Sequence, residues 1–455
     1  MKQSYDFNIE KIKNLSLEEK ISRQKNLDLF YKSGFPTKQV EDWKFTDLNL
    51  ILNKNFSSIS NDVNFESAKD PETIKDFEHN YIFLSNGKIT STNFDHEEKS
   101  KILIKDFDQK DTKNLNPSNT LTLLNDALSS GGFSLEIKKN YKFRKPLVVY
   151  NYFSKDIKNK ILNNKNYIKL NEGSELTLID YNNDKTQNNF IKNTVDIILL
   201  EQNAIFKNIF IQSSKSNGYF YRYIKSILES GSNYENYILS SGLKLNKIDI
   251  EVDLNSDNSN CNIYSALNLQ EDQHQEIKTR INHNSPNCKS YQKIKNVLND
   301  NSKGIYQGKI FVEKIAQKTD AYQLSKALIL NDDAEFDAKP ELEIYADDVK
   351  CSHGSTSGSI DSDAVHYLMT RGIPKKEALK LLINAFLNEC RLGMLTFRIN
   401  ELCLELVIQL SVHLTMVLLS QTNFPIESGL QSIFKSNDND EEENSEQKNL
   451  SNKSF

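Results

Sequence analysis

The residues of this chain best suited to chemistry sit in one string, Val349-Lys350-Cys351-Ser352-His353-Gly354. On an extended strand, residues i and i+2 face the same side, so Cys351 and His353 would present a thiolate and an imidazole side by side. Both groups are ligands for iron, zinc or a cluster. Two ligands leave a tetrahedral site incomplete. A metal half-site here must take its remaining ligands from elsewhere in the chain or from a partner. The neighbouring Asp347-Asp348 is a carboxylate pair of the kind used by polysaccharide-cleaving enzymes, but adjacent strand residues point to opposite faces and would not converge. His274 and His283 lie among polar residues and read as solvated loop histidines, and Cys261 and Cys288 read as ordinary thiols.

Other chemistries are not encoded. There is no G-x-x-x-x-G-K-[ST] loop, no G-x-G-x-x-G after a strand and no G-x-S-x-G elbow, so the chain is not expected to bind a nucleotide. The five cysteines are widely spaced with no C-x-x-C pair, which argues against a disulfide framework and for a reducing compartment. Met1 to Phe7 lacks the apolar stretch of a signal peptide, so the expected location is cytoplasmic. Lys and Arg are dispersed and the net charge is −5, which does not fit a nucleic-acid binder. Leu402–Leu419 is apolar but carries Glu405, Gln409 and His413, costly in a bilayer. No membrane span is expected.

Cys351 and His353 fall in a long β-rich stretch. From Phe133 to about Ile360, short alternating apolar runs recur between Asn, Asp, Ser and Gly turns. Leu176–Ile179, Val195–Leu200, Ile205–Ile211, Ile248–Val252 and Leu342–Ala346 are examples. Period two means strands with one buried face. On pattern alone both a sandwich or barrel and a parallel β-helix fit. Irregular spacing without hairpin turns favours the β-helix.

Helices flank the stretch. Ser16-Leu17-Glu18-Glu19 has capping-box spacing, predicting a helix to about Tyr31 that stops at Gly34. Pro36–Leu48 reads as a loop anchored by Trp43, the only tryptophan. Leu121–Leu128 predicts a short helix. Residues 60–120 otherwise yield no clear elements. Asp363 is placed to cap a helix through Thr370, and Pro374 suits the first position of another. There Ala378, Leu381, Leu382, Ala385 and Phe386 form an apolar stripe, to cap the chain's own solenoid or to dock a partner. Residues 401–419 alternate like a strand, yet Glu405, Gln409 and His413 have helical spacing, and both readings stand. The acidic end, around Asp438–Glu443, predicts disorder.

The string from Lys339-Pro340-Glu341 through Cys351-Ser352-His353 to Thr356 closely resembles the signature of the SufB/SufD family. The match continues through Gly358 and Arg371-Gly372-Ile373 to the Ala378–Phe386 helix. Glu41-Asp42-Trp43-Lys44 within Pro36–Leu48 looks like the SufD branch, as does Leu124–Ala127 leading to Lys145-Pro146-Leu147. The resemblance covers about residues 15 to 390 and implies a mainly β fold, a parallel β-helix core between helical ends. It also implies a non-catalytic scaffold subunit of a SufBCD-type complex for iron–sulfur cluster assembly. Such a subunit pairs with a SufB-like subunit and docks a SufC-like ATPase through its C-terminal helices. His353, with Cys351 beside it, would lie at the partner interface, where a transient cluster shared with the SufB-like subunit is built. The implied organisation is an N-terminal helical and mixed region (1–120), a β-helix core (121–361), partner-docking helices (362–390) and a divergent, partly disordered tail (391–455). That tail departs from the family pattern near Cys390, as a lineage-specific end or an altered reading frame would. The competing readings are a SufB-like subunit that carries the cluster itself and a carbohydrate-active β-helix enzyme.

Overall fold

The computed structural model describes residues 4–395 except 14, 64–72, 76, 108–118, 183–185 and 213–214. The run at 401–419, Cys403 and the acidic end lie outside the described residues. Helix α1, Leu17–Ser33, starts as its sequence dictates. Ser16 Oγ accepts the Glu19 N–H at 3.2 Å, and Glu19 Oε2 accepts the Ser16 N–H at 2.7 Å. Gly34 ends it at φ 71°, a backbone angle that only glycine adopts at little cost. Helix α2, Leu48–Asn55, is capped by Asp47. Helix α3, Thr120–Leu128, packs against α1, and the buried Arg23 donates to the carbonyls of Ala127 and Ser129 at its C-terminal end.

The middle of the chain is a parallel solenoid of roughly eight turns. Successive strands alternate between two sheets. The first sheet runs Glu335–Ile344, Lys303–Val312, His274–His283, Leu243–Leu254, Ser216–Leu228, Phe190–Leu200, Ile161–Leu170, Phe133–Ile137 and Ile102–Asp106. The second runs Lys350–Gly358, Asp320–Ile329, Lys289–Leu298, Asn260–Leu269, Asn233–Ser240, Ile205–Gln212, Glu175–Asn182, Leu147–Tyr152, Asn80–Ser85 and Lys88–Asn93. Antiparallel pairs among these occur only at the N-terminal end, where 80–85 meets 88–93 and 102–106 meets 133–137. The sheets therefore draw in strands from residues 80–106, which the sequence pattern left unassigned.

Paired residues one turn apart are 26 (Tyr219 with Leu245) to 33 (Ser134 with Tyr167) positions apart. That variation is why no strict repeat is visible. What does repeat is a left-handed corner. Asn140, Gly173, Asn203, Gly231, Asn258, Asn287 and Lys318 all have φ between 56° and 66°, the region that Gly and Asn tolerate best. Inward residues form one continuous Leu/Ile/Phe core from Ile82 to Leu298. Alternation is plain in strand 320–329, where Ala321, Gln323, Ser325 and Ala327 are buried between half-exposed neighbours.

Helix α4, Ser362–Thr370, is capped by Asp361, whose Oδ1 accepts the Asp363 N–H at 2.8 Å, so the cap lies two residues before the expected Asp363. Pro374 precedes α5, Lys375–Leu395, and its carbonyl accepts the Ala378 N–H. Ile383, Phe386, Leu387 and Cys390 of α5 pack on the outer side of the second sheet. There Lys295 Nζ donates to the Phe386 carbonyl at 2.9 Å and pairs with Glu389 at 2.5 Å. Of the expected stripe, Leu381 stays exposed. Among the described residues no helix is long and apolar enough to cross a membrane.

Candidate functional site

Strand Lys350–Gly358 is the last of the second sheet, and Glu335–Ile344 is the last of the first. Among the described residues each pairs on one side only, and their residues are half or fully exposed. Among the described residues the C-terminal end of the solenoid is therefore open: two adjacent edges offer backbone donors and acceptors that no described strand pairs with, a template for another strand.

Cys351 and His353 are both on this edge strand. Cys351 registers with the buried Ala321, His353 with the buried Gln323, and Ser355 with Ser325. The Ser325 hydroxyl donates to Ser355 Oγ at 2.9 Å, so this alternating set lies on the inward-facing side of the last turn. Cys351 is half-buried against a cluster of Ile310, Val312, Ala316, Ala321 and Ala346. Burial, aided by Asp320, pushes its thiol up, so it is a neutral thiol at neutral pH and would release a proton on binding a metal. His353 is exposed. Among the described residues no third His, Cys, Asp or Glu joins them as a metal-holding group. The structure thus places a two-residue donor set at an open end.

Asp347 and Asp348 are not on a strand as expected. They form a bend between the two edge strands, where the Asp348 N–H donates to Gln317 Oε1 at 2.9 Å. His274 and His283 are not solvated loop residues either. They begin and end strand 274–283. His283 is fully buried and shares a 2.9 Å hydrogen bond with Ser290 Oγ, and burial lowers it to about 4. His274 is also lowered to about 4, chiefly by burial. Cys261, Cys288 and Cys390 are buried, and burial raises each thiol.

Sequence reasoning also missed a buried charge network around Trp43. The ring is 1% exposed, lies 5.4 Å from that of Tyr221, and carries Lys247 Nζ 4.8 Å from its centroid. Lys247 is wholly buried and pairs with Asp249 at 3.1 Å and with Glu276. Thr46 donates to Glu276, so His274 Nε2–H donates to Thr46 Oγ1 at 2.7 Å. Burial alone would raise the Glu276 carboxyl, but Lys247, Thr46 and Gln307 hold it below its usual range. Beside Trp43, Asp42 pairs with Lys278 at 2.5 Å and Glu41 with Lys339 at 2.6 Å. The Glu41–Thr46 segment is thus a strap along the first sheet that reaches the edge strand. The available signal was a run of charged residues at outward positions of strand 243–254.

Two family models match the chain. One is described as the SUF system FeS cluster assembly SufBD core domain, over residues 152–386, and the other as the SufBD protein N-terminal region, over residues 3–149. The iron-sulfur cluster assembly protein SufD of Escherichia coli is 27% identical over 375 residues, 80% of this chain and 87% of that protein. Protein ABCI7, chloroplastic, of Arabidopsis thaliana is 23% identical over 392 residues, 81% of each. An iron-sulfur cluster assembly SufBD family protein of Synechocystis sp. is 30% identical over 205 residues, 45% of each.

Proposed function

The chain belongs to the SufBD family of iron–sulfur cluster assembly proteins, and on that premise we propose that it is the SufD-type scaffold subunit of a SufBCD-type complex. Its open solenoid end pairs with a SufB-like subunit, edge strand to edge strand. His353 and Cys351 supply one half of a shared site where a cluster, the cargo of the complex, is built and released. Helices α4 and α5 dock a SufC-like ATPase, leaving nucleotide chemistry to that partner. The chain itself performs no catalysis and works in the cytoplasm.

The observation that carries this reading is the exposed donor pair on an uncapped edge: a soluble solenoid left with two unpaired adjacent edges needs a covering partner, and an incomplete ligand set needs ligands in trans. Exposed Tyr367, Met369 and Leu381 on α4 and α5 support docking there. The carbohydrate-enzyme reading has no such support, since Asp347 and Asp348 lie in a pinned bend rather than a converging groove.

The test is anaerobic co-expression with the cognate SufB-like and SufC-like proteins, comparing the parent with His353→Ala. A complex in both cases, with cluster absorbance lost in the variant, supports the reading. Unchanged absorbance rejects the role of His353, and failure of the parent to form a complex rejects the pairing. Stoichiometric ATP binding by the isolated chain would reject the division of labour.

A further inference from the structure

The outer face of the second sheet carries a ladder of four tyrosine rings. Tyr237 stacks on Tyr264 with centroids 4.9 Å and planes 13° apart, and Tyr291 stacks on Tyr322 at 5.5 Å and 13°. Each pair sits directly opposite in the parallel register. Tyr264 and Tyr291 join the pairs on the diagonal at 5.9 Å. Tyr322 registers with Ser352, the residue between Cys351 and His353, so the ladder starts at the open edge. It ends three strands further in, at Tyr237, which is 1% exposed. There the hydroxyl donates to Glu235 Oε2 at 2.8 Å, and the buried Glu235 pairs with Lys207 at 3.2 Å.

Stacking alone does not call for phenols, since phenylalanine rings pack in the same geometries. What the hydroxyl adds is one-electron oxidation. A phenol that loses an electron becomes a strong acid and must release its proton, so a buried tyrosine is oxidised readily only beside a base. Among the described residues, Tyr237 is the rung hydrogen-bonded to a carboxylate. Burial and Glu235 keep its hydroxyl from ionising beforehand. Tyr264, Tyr291 and Tyr322 are half-buried and exchange protons with solvent. The rungs are therefore not equivalent, and Tyr237 is where an electron vacancy settles.

We propose that the ladder carries an oxidising equivalent away from the open edge and holds it at Tyr237. A one-electron oxidant at the edge takes an electron from Tyr322, whose phenolic proton goes to solvent. Tyr237 then supplies an electron through Tyr264 and Tyr291. Tyr322 regains a proton from solvent and is a phenol again, while the Tyr237 proton crosses to Glu235. The product is a neutral tyrosyl radical beside a neutral carboxyl group, shielded from water. A small one-electron reductant, an enediol or a thiol, later returns the electron, and Glu235 returns the proton. The vacancy is thereby drawn away from the Cys351 thiol, which oxidation would remove as a ligand. That such an oxidant arises where iron is handled rests on the role proposed above; conduction along the ladder does not.

The full chain is tested with a ruthenium polypyridyl photo-oxidant tethered through Ser352→Cys, an exposed position, in a background of Cys351→Ser and Cys403→Ser. A flash in the presence of an irreversible electron acceptor creates an oxidising equivalent at the edge, and freeze-quenched electron paramagnetic resonance reads the tyrosyl radical. The labelled chain gives a long-lived radical. Tyr264→Phe keeps the stack but breaks the route, and removes most of that signal. Tyr237→Phe leaves only a short-lived radical. Glu235→Gln keeps a hydrogen-bonding group but not the base, and shortens the lifetime to that of Tyr237→Phe. Tyr345→Phe, an exposed ring outside the ladder, changes nothing. No long-lived radical in the labelled chain, or an unchanged one in Tyr264→Phe or Tyr237→Phe, overturns the proposal and leaves the ladder as packing. An unchanged lifetime in Glu235→Gln overturns Tyr237 as the terminus. The measurement uses neither partner nor cluster, so unchanged cluster in His353→Ala would reject the functional reading and leave this result standing.

Discussion

Acid should destabilise this solenoid partly through one histidine. His283 ends strand 274–283 on its inward side, fully buried, with Nε2 2.9 Å from Ser290 Oγ and Nδ1 without a partner. Burial is the sole cause of its depression to about 4. The unfolded ring protonates near pH ~6.5. Between these values the unfolded chain binds a proton that the folded chain does not. Stability is therefore lost as pH falls through about 6.5, and the loss is complete below about 4. A depression of about 2.5 units is worth about 3 kcal/mol at the limit, of which about 2 kcal/mol is already lost at pH ~5. The assay is urea unfolding followed by circular dichroism at pH ~7.5 and ~5, on the parent and on His283→Gln. Glutamine keeps a neutral hydrogen-bonding group beside Ser290 and does not titrate. Every other acid-sensitive group, His274 included, cancels in the difference between the two pH effects. The parent should lose about 2 kcal/mol more than the variant over this range. Equal losses would refute the argument that His283 is held neutral by burial.

Two further outcomes are expected. Trp43→Ala removes a ring that is 1% exposed and leaves Lys247 without its aromatic cover; the cost should be about 3–5 kcal/mol by urea midpoint, and a cost under about 1 kcal/mol would show that the strap is not anchored there. Of the described cysteines only Cys351 is not fully buried, so a thiol reagent should modify it in the folded chain, faster as pH rises because its thiol is held up, while Cys261, Cys288 and Cys390 react only on unfolding. Cys351→Ser should abolish the fast reaction, and a fast reaction persisting in that variant within residues 4–395 would contradict the burial pattern.

Local signals were legible wherever they depend on neighbours in sequence. The α1 capping box, the stop at Gly34 and the alternating strands all follow from short-range geometry, and Cys351 and His353 share a strand because period two is a local property. The family resemblance carried what pattern could not, since turns of 26 to 33 residues leave a β-helix without a visible repeat. The corner residues, mostly Asn or Gly, were the overlooked periodic mark: their left-handed φ recurs once per turn although the strands between vary.

What the sequence determined by itself is that alternating strands fill the middle of the chain, where helix α1 starts and stops, and that one string pairs a thiol with an imidazole. Tertiary structure decided which polar residues are buried. His274 and His283 read as surface residues because each lies among polar neighbours, and nothing local marks Lys247, Glu276 or Gln323 as interior. They are buried or half-buried because stacking of turns, or a strap laid across them, brings partners from 7 to 230 residues away within hydrogen-bonding distance. Burial is a property of the whole packing, and no local window contains it. The same holds for the edge strands: their sequences are ordinary, and they are edges because, among the described residues, no further strand pairs with them.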